Sequence, residues 1–137
     1  MARGPEGHGR QELAVHGGRD AEHEQASFFL EGMDCCTVVF AVGEIDLATS
    51  SILGGALVEA VKSRRHLVVD LSAVTFLDST GLGVLIRAQK QIAATHKSMS
   101  LAGPTGMVAK VLSITRIDDA IPVYPNLDTA LSATNAG

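Results

Sequence analysis

Two hydroxyl side chains and a carboxylate stand next to one another at positions 78–80, where the sequence is Asp-Ser-Thr, followed by Gly-Leu-Gly. The segment before them has the apolar pattern of a buried strand, and the segment after them has helical periodicity. The first N–H groups of a helix lack intrahelical partners and lie at the positive end of its dipole, so a phosphate on Ser79 would be tolerated there. Ser79 is therefore the leading candidate for a functional residue.

Helix capping and serine hydrolysis are two further roles that these residue types could have. Asp78, Ser79 and Thr80 are all residue types that cap helices, and a cap stabilises by about 1 kcal/mol. Ser79 has no G-x-S-x-G motif around it, and the histidines of the ordered region, His66 and His96, are predicted at a strand start and a helix end. The sequence thus favours capping over a catalytic triad, which no motif supports.

Recognisable nucleotide- and metal-binding motifs are missing from the sequence. Residues 103–106 lack the Gly-Lys-Ser/Thr ending of a P-loop, and residues 81–83 lack the third glycine of a dinucleotide fingerprint. Cys35 and Cys36 are adjacent, which matches neither a C-x-x-C redox pair nor a zinc-ligand spacing, so we predict ordinary thiols in a turn or at a strand edge. The N-terminal histidines also lack metal-ligand spacing; they are His8, His16 and His23. We expect no cofactor, no metal and no catalytic residue.

The composition is that of one compact domain. The chain has 137 residues, 46% apolar and 19% charged, with a formal net charge of −4, so it supports one core and offers no basic face for nucleic acid. Its apolar runs fall far short of the roughly 20 residues that span a bilayer, and no secretory signal is visible. Residues 1–25 are predicted to form a flexible tail and residues 26–137 the domain. We expect no nucleic-acid or membrane partner and a cytoplasmic location.

Two strands, a helix and a third strand are predicted ahead of the turn. The first two strands are expected over 28–33 and 37–42, and the helix follows with Thr49 or Ser50 as its N-cap. An apolar strand over 66–71 completes a strand–helix–strand unit. Such a unit within one sheet is almost always parallel and right-handed, so the turn at Asp78 should lie at the carboxyl end of a parallel strand.

The remaining elements complete an α/β fold. They are a helix from residue 82, a strand over 97–102, a helix over 105–114, an edge strand over 121–124 and a short helix capped by Asn126. In the first helix, Gly54 and Gly55 each cost roughly 1 kcal/mol relative to alanine, so we expect close packing there. The elements predict a mixed β-sheet of about four to five strands with about four helices, packed mainly on one face.

Two segments resemble the signature of a known family. Residues 70–85 read Asp-Leu-Ser-Ala-Val-Thr-Phe-Leu-Asp-Ser-Thr-Gly-Leu-Gly-Val-Leu, which strongly resembles the signature of STAS-domain anti-sigma-factor antagonists of bacteria. Residues 42–48 contain Gly-Glu-Ile-Asp, which resembles the family's Gly-Glu-aliphatic-Asp segment before its first helix. The resemblance covers residues 28–131 and implies a single STAS domain.

The resemblance also implies roles for individual residues. It makes Ser79 the phosphorylation site, with Thr80 standing where many members have a second serine, and it places Asp46 close to the turn. The residues expected to form the partner surface are Glu44, Asp46, Asp78, Thr80, Gly81 and Leu82. From its helical phase alone, Leu82 could equally belong to the core.

By the same resemblance, the unphosphorylated protein binds an anti-sigma factor that is itself a serine/threonine kinase, and so frees a sigma factor. The kinase phosphorylates Ser79 with ATP that it holds itself, and a metal-dependent serine/threonine phosphatase restores the hydroxyl. The chain is then a switch without an active site, and a monomer or weak dimer. Alternatives are a STAS scaffold or sensor subunit of a stress-signalling complex and, less favoured because no transmembrane segment accompanies it, a small-molecule-binding STAS module.

Overall fold

A six-stranded sheet whose strands lie in the order of the chain forms the centre of the protein, in a computed structural model that describes residues 15–16 and 26–136. The strands are β1 (Val15–His16), β2 (Ala26–Gly32), β3 (Cys36–Ile45), β4 (His66–Leu77), β5 (Met99–Ala102) and β6 (Val123–Tyr124). Strands β1 to β3 are antiparallel neighbours, whereas β3 to β6 run parallel. Strand β1 lies within the predicted tail, most of which falls outside the described residues.

In the part of the chain that the structure describes, four α-helices connect or follow the parallel strands. They are α1 (Leu47–Lys62), α2 (Ser79–Ala93), α3 (Gly106–Ile114) and α4 (Leu127–Ala136). The predicted α/β class, the mixed sheet and the four helices are confirmed. Strands β2 to β6 are the five expected strands, and the two-residue β1 adds a sixth at the edge.

The pairing of β3 with β4 determines which residues meet at the carboxyl ends of the strands. The pairing begins at Cys36 opposite His66 and ends at Ile45 opposite Leu77. Over this length β4 has two residues more than β3, one at each of two register shifts. Residues 72 and 73 are exposed where the first shift occurs, which is why the apolar pattern breaks there although the strand continues to Leu77. The shifts bring the last residues of both strands side by side.

The two faces of the sheet have separate cores. Helices α1, α2 and α3 cover one face, with core residues that include Phe28, Leu53, Leu71, Leu85 and Leu112. Helix α4 covers the other face through Ala130, which packs with Cys36, Val38, Val68 and Ala102. Helix packing mainly on one face is therefore confirmed.

The adjacent cysteines are both free thiols, as predicted. Cys35 lies in the bend between β2 and β3, and Cys36 is the first residue of β3. In the described part of the chain, no helix is both long and apolar enough to cross a membrane.

The close packing predicted at Gly54 and Gly55 of α1 is wrong. A Cβ atom built on Gly55 meets nothing within 4 Å, and one on Gly54 lies 3.7 Å from Val84 Cγ1, an ordinary van der Waals distance. The close packing expected at these glycines is therefore absent, because Gly55 faces outward and Gly54 has room for a methyl group.

Candidate functional site

The carboxyl ends of β3 and β4 bring two aspartates to neighbouring positions. Ile45 and Leu77 are opposite one another in the sheet, and the Asp78 N–H donates to the Ile45 carbonyl oxygen at 3.2 Å. Asp46 and Asp78 are the next residues on these strands, which are about 4.8 Å apart as paired strands are. Each aspartate then starts a helix, so the N-termini of α1 and α2 lie side by side.

Asp46 caps α1 by a reciprocal pair of hydrogen bonds. Its Oδ1 accepts from the N–H groups of Ala48 at 3.0 Å and Thr49 at 3.1 Å, while its own N–H donates to Thr49 Oγ1 at 3.0 Å. Thr49 Oγ1 donates in turn to the Glu44 carbonyl oxygen at 2.8 Å. The predicted N-cap, Thr49 or Ser50, is therefore wrong: both side chains are buried inside the first turn, and Asp46 precedes it.

Asp78 caps α2 in the same way. Its Oδ1 accepts from the N–H groups of Thr80 at 3.0 Å and Gly81 at 3.3 Å, and also from the Thr80 hydroxyl at 2.5 Å. The hydrogen bond from the Thr80 side chain, with smaller contributions from the two N–H groups, holds the pKa of the Asp78 carboxyl below its usual value. Asp78 is thus a charged cap, and it already occupies two of the free N–H groups of α2.

The two hydroxyls of the turn differ in their surroundings. Thr80 is half-buried, and its hydroxyl donates to Asp78. Ser79 is exposed at the first position of α2, and its hydroxyl makes no hydrogen bond with any residue in the described ranges. Capping accounts for Asp78 and Thr80, and it leaves Ser79 unexplained.

Gly81 and Leu82 face the interior. A Cβ on Gly81 would lie 2.5 Å from Leu77 Cδ1 and 2.7 Å from Ile45 Cγ2, so any larger residue would force these side chains to move where α2 crosses the ends of the strands. Leu82 is 7% exposed and belongs to the core beneath the helices. Both residues hold the turn in place, and a direct contact of either with a partner stays a prediction.

Leu47 is the residue at this site that the sequence analysis missed. It is the first residue of α1, follows Asp46 directly and is 76% exposed, the largest exposure among the big apolar side chains of the described residues. The sequence does contain a signal for this exposure. On the predicted helix, Leu47 lies outside the apolar face that begins with Ile52 and Leu53. A single exposed apolar side chain is common on protein surfaces, so it is the position of Leu47 directly after Asp46 that makes it a candidate contact residue.

The remaining chemical alternatives receive no support from the geometry. His66 starts β4 and accepts a hydrogen bond at Nδ1 from the Ser98 N–H at 3.1 Å, whereas Ser79 follows the other end of this 12-residue strand. His96 follows the C-terminus of α2, also far from Ser79. Within 15–16 and 26–136, no three His, Cys, Asp or Glu side chains come together as a metal site. His8 and His23 lie outside those ranges.

Comparison with known proteins gives consistent results. The family model of the STAS domain matches residues 29–130. An anti-sigma-B factor antagonist of Listeria monocytogenes is 33% identical over 99 residues, which are 72% of this chain and 86% of the relative. An anti-sigma F factor antagonist of Paenibacillus polymyxa is 30% identical over 97 residues, 69% of this chain and 83% of the relative.

A solved structure is similar over nearly its whole length. It is the crystal structure of an anti-sigma factor antagonist from Mycobacterium paratuberculosis, which matches with a TM-score of 0.76 at 32% sequence identity. The match covers 81% of this chain and 95% of that chain.

Proposed function

This chain belongs to the STAS-domain family, and on that premise we propose that it is an anti-sigma factor antagonist switched by phosphorylation of Ser79. In this proposal the unphosphorylated chain binds an anti-sigma factor that has serine/threonine kinase activity, and the sigma factor is released. The names of the similar proteins support the partner class, and the geometry of the turn supports the position of the switch.

The observation that carries the proposal is the free hydroxyl of Ser79. It is exposed, lies at the first position of α2 and makes no hydrogen bond among the described residues, so a kinase can reach it without breaking a native contact. The Thr80 hydroxyl is already a donor to Asp78, and phosphorylating it would remove that bond. Ser79 is therefore the better acceptor.

Local electrostatics explain how a phosphate would act as a switch. It adds about −1.5 to −2 charges directly beside the Asp78 carboxylate. The sequence led us to expect that the N-terminus of α2 would tolerate this charge. Asp78 already accepts from the N–H groups of Thr80 and Gly81, however, so the helix N-terminus has little left to offset it. Across an interface built for a neutral hydroxyl, the phosphate has no such offset, and its juxtaposition with acidic groups of the partner costs several kcal/mol. We expect release of the partner without refolding of the domain.

The partner surface in this proposal surrounds Ser79. Its members are Glu44, Asp46, Leu47, Asp78, Thr80, Gly81 and Leu82, the exposed ones making contacts and the buried ones fixing the backbone. The kinase supplies its own ATP and metal, and a metal-dependent serine/threonine phosphatase restores the free hydroxyl. This chain contributes only the substrate group and the surface, with no catalytic residue and no cofactor.

The test uses the anti-sigma factor kinases of the source organism, each expressed with ATP and Mg²⁺ and screened for phosphorylation of this chain. Mass spectrometry should find phosphate on Ser79, and Ser79→Ala should abolish it while preserving binding. Thr80→Val is the matched control and should leave phosphate on Ser79. Ser79→Asp should weaken binding by at least about tenfold, which corresponds to 1.4 kcal/mol.

Two results would contradict the proposal. Phosphate on Thr80 in the wild-type chain would overturn the choice of acceptor. Affinity of the Ser79 phosphoprotein within about twofold of the unmodified chain would overturn the switch itself.

A further inference from the structure

Asp70 is a buried carboxylate in the middle of β4. It is 9% exposed and, among the residues that the structure describes, forms no ion pair with a basic side chain. Its Oδ1 accepts a hydrogen bond from the Ser72 N–H at 2.9 Å. Because burying a carboxylate is costly, an apolar residue would be the ordinary choice at this position unless the hydrogen bond is needed.

The hydrogen bond closes a turn at the first register shift between β3 and β4. Phe40 lies opposite Asp70. Two residues later on β3, Val42 lies opposite Ala73, which is three residues later on β4. A side chain that accepts from the N–H two residues further on forms an Asx turn, which offers the backbone an alternative to the regular strand ladder. Asp70 therefore stabilises the irregularity itself.

The register shifts decide which side chains of β4 reach the core beneath the helices. Leu71, Val74 and Leu77 are all buried there, at a spacing of three residues and not of two. Because side chains of a strand alternate between faces, one extra residue in each interval is needed for all three to point the same way. Loss of the first shift would turn Val74 and Leu77 to the other face and would leave a residue other than Leu77 opposite Ile45.

A second contact holds the turn from outside the strand. Gly103 follows β5, has a φ of 71° and lies so close to the turn that a Cβ would be 3.1 Å from Ser72 Cβ and 3.6 Å from Asp70 Oδ1. The Gly103 N–H donates to the Tyr124 carbonyl oxygen at 2.9 Å, which ties this loop to β6. The turn at residues 70–72 is therefore fixed by the neighbouring loop as well as by its own hydrogen bond.

We propose that Asp70 is a positioning residue for the phosphorylation of Ser79. The inference rests on the proposed function and deepens it, because the turn that Asp70 closes sets the register at which Leu77 meets Ile45, two residues before Ser79. In the phosphorylation step the Ser79 oxygen bonds the γ-phosphorus of the ATP held by the kinase, ADP leaves and the hydroxyl proton is released. A slip of one residue would move the Ser79 turn by about 3.3 Å along β3. A misplacement of about 1 Å can lower the rate of such a reaction by about 100-fold.

The experiment combines hydrogen exchange of the free chain with the kinase assay. The Asp78 N–H donates to the Ile45 carbonyl oxygen when the strands end in this register, so its exchange rate, measured by NMR, reports the register without a partner. Asp70→Ala should speed this exchange and slow Ser79 phosphorylation, each at least about tenfold. Asp70→Asn, whose amide oxygen can still accept from the Ser72 N–H, should stay within about threefold of wild type in both measurements.

Val68→Ala is the matched control, since it lies on the same strand and the same face as Asp70. It removes buried volume from the core under α4 and leaves the turn intact. Assayed well below the unfolding temperature of each variant, it should leave both Asp78 exchange and phosphorylation within about threefold of wild type. Gly103→Ala crowds Ser72 from the other side and should also speed Asp78 exchange, so it is the independent variant if Asp70→Ala does not fold.

The outcomes separate this inference from the proposed function. If Asp70→Ala, or Gly103→Ala in its place, matches wild type within about twofold in exchange or in phosphorylation, Asp70 has no positioning role and the Ser79 switch still stands. The same conclusion follows if Val68→Ala slows phosphorylation as much as Asp70→Ala does. If no anti-sigma factor kinase phosphorylates the wild-type chain, the proposed function falls, and Asp78 exchange alone decides whether Asp70 holds the turn.

Discussion

One hydrogen bond distinguishes the two hydroxyls of the turn. Thr80 Oγ1 donates to Asp78 Oδ1 at 2.5 Å, whereas the hydroxyl of Ser79, one residue earlier, makes no hydrogen bond in the described ranges. The same carboxylate oxygen also caps α2, so Thr80 is part of the cap and Ser79 is not. Adjacent residues of nearly the same chemistry therefore have different roles, which residue type alone does not reveal.

Thr80→Val tests, through the pKa of the Asp78 carboxyl, whether the Thr80 hydroxyl is part of the cap. The hydrogen bond from the Thr80 hydroxyl is the main cause of the lowered pKa of Asp78, so removing it should raise that pKa towards the ordinary value. A lowered pKa in the folded state means that the charged carboxylate stabilises the fold above the unfolded-state pKa, and that this stability is lost as the pH falls through the folded-state pKa. Thr80→Val should therefore lose less stability in acid than wild type.

The measurements are an NMR titration of the Asp78 carboxyl and urea unfolding at neutral and acidic pH. Thr95→Val is the control, because its hydroxyl donates to the Ile92 carbonyl oxygen at the other end of α2. An unchanged Asp78 pKa in Thr80→Val would show that the hydrogen bond is not its cause.

Helix α2 is held against the strand ends by its glycine at the third position. Gly81 brings the helix so close to Leu77 and Ile45 that a Cβ would lie within 2.7 Å of both. Gly83, two residues on, is different: a Cβ there has only Arg87 Nη1 within 4 Å, at 3.7 Å. The position of the whole helix, and thus of Ser79, depends on the first glycine and not on the second.

Substituting the two glycines by alanine should therefore change stability in opposite directions. Gly81→Ala should destabilise by about 1–3 kcal/mol, because Leu77 and Ile45 must move. Gly83→Ala should stabilise by up to about 1 kcal/mol through helix propensity. Urea unfolding measures both, and a Gly81→Ala variant as stable as wild type would contradict the packing described for this turn.

Periodicity and an apolar run were enough to predict that β4 and α2 exist, because both signals are local. Their bounds differ from the prediction, since β4 continues from residue 71 to Leu77 and α2 begins at Ser79 and not at residue 82. The resemblance to the family implied that Asp46 lies close to the turn, and the pairing of Ile45 with Leu77 brings Asp46 and Asp78 to neighbouring positions. The N-cap of α1 did not, because Thr49 is a good capping residue whose hydroxyl is instead bound inside the first turn. The alignment of Ile45 with Leu77 depends on two extra residues in β4, and the regular alternation of a strand does not reveal where such irregularities occur.

At the scale of the whole molecule, residues 15–16 and 26–136 form two cores, one on each face of the sheet. The smaller core lies under α4 and contains Cys36, which has no exposed surface. Burial raises the pKa of the Cys36 thiol to about 12, and the neighbouring Cys35 adds to this effect. Because the thiolate is the reactive form, Cys36 is protected by both its pKa and the helix above it.

Thiol labelling at pH 8 should therefore report the opening of this core. Cys35→Ser, which keeps only Cys36, should react with a maleimide at least about 100-fold more slowly than Cys36→Ser, which keeps only the partly exposed Cys35. Adding urea should accelerate only the labelling of Cys36, in step with global unfolding. Rapid native labelling of Cys36 would mean that α4 opens without the rest of the domain.

The sheet has a further consequence through its strand order, which is the order of the chain from β1 to β6. Every strand pairs with the one synthesised just before it, and each parallel pair is closed by the helix or loop between its strands. A nascent chain leaving the ribosome therefore never has to wait for a distant segment before its newest strand can pair. The domain can be assembled from its N-terminal side during translation, with β4 and the Ser79 turn added onto a hairpin that is already formed.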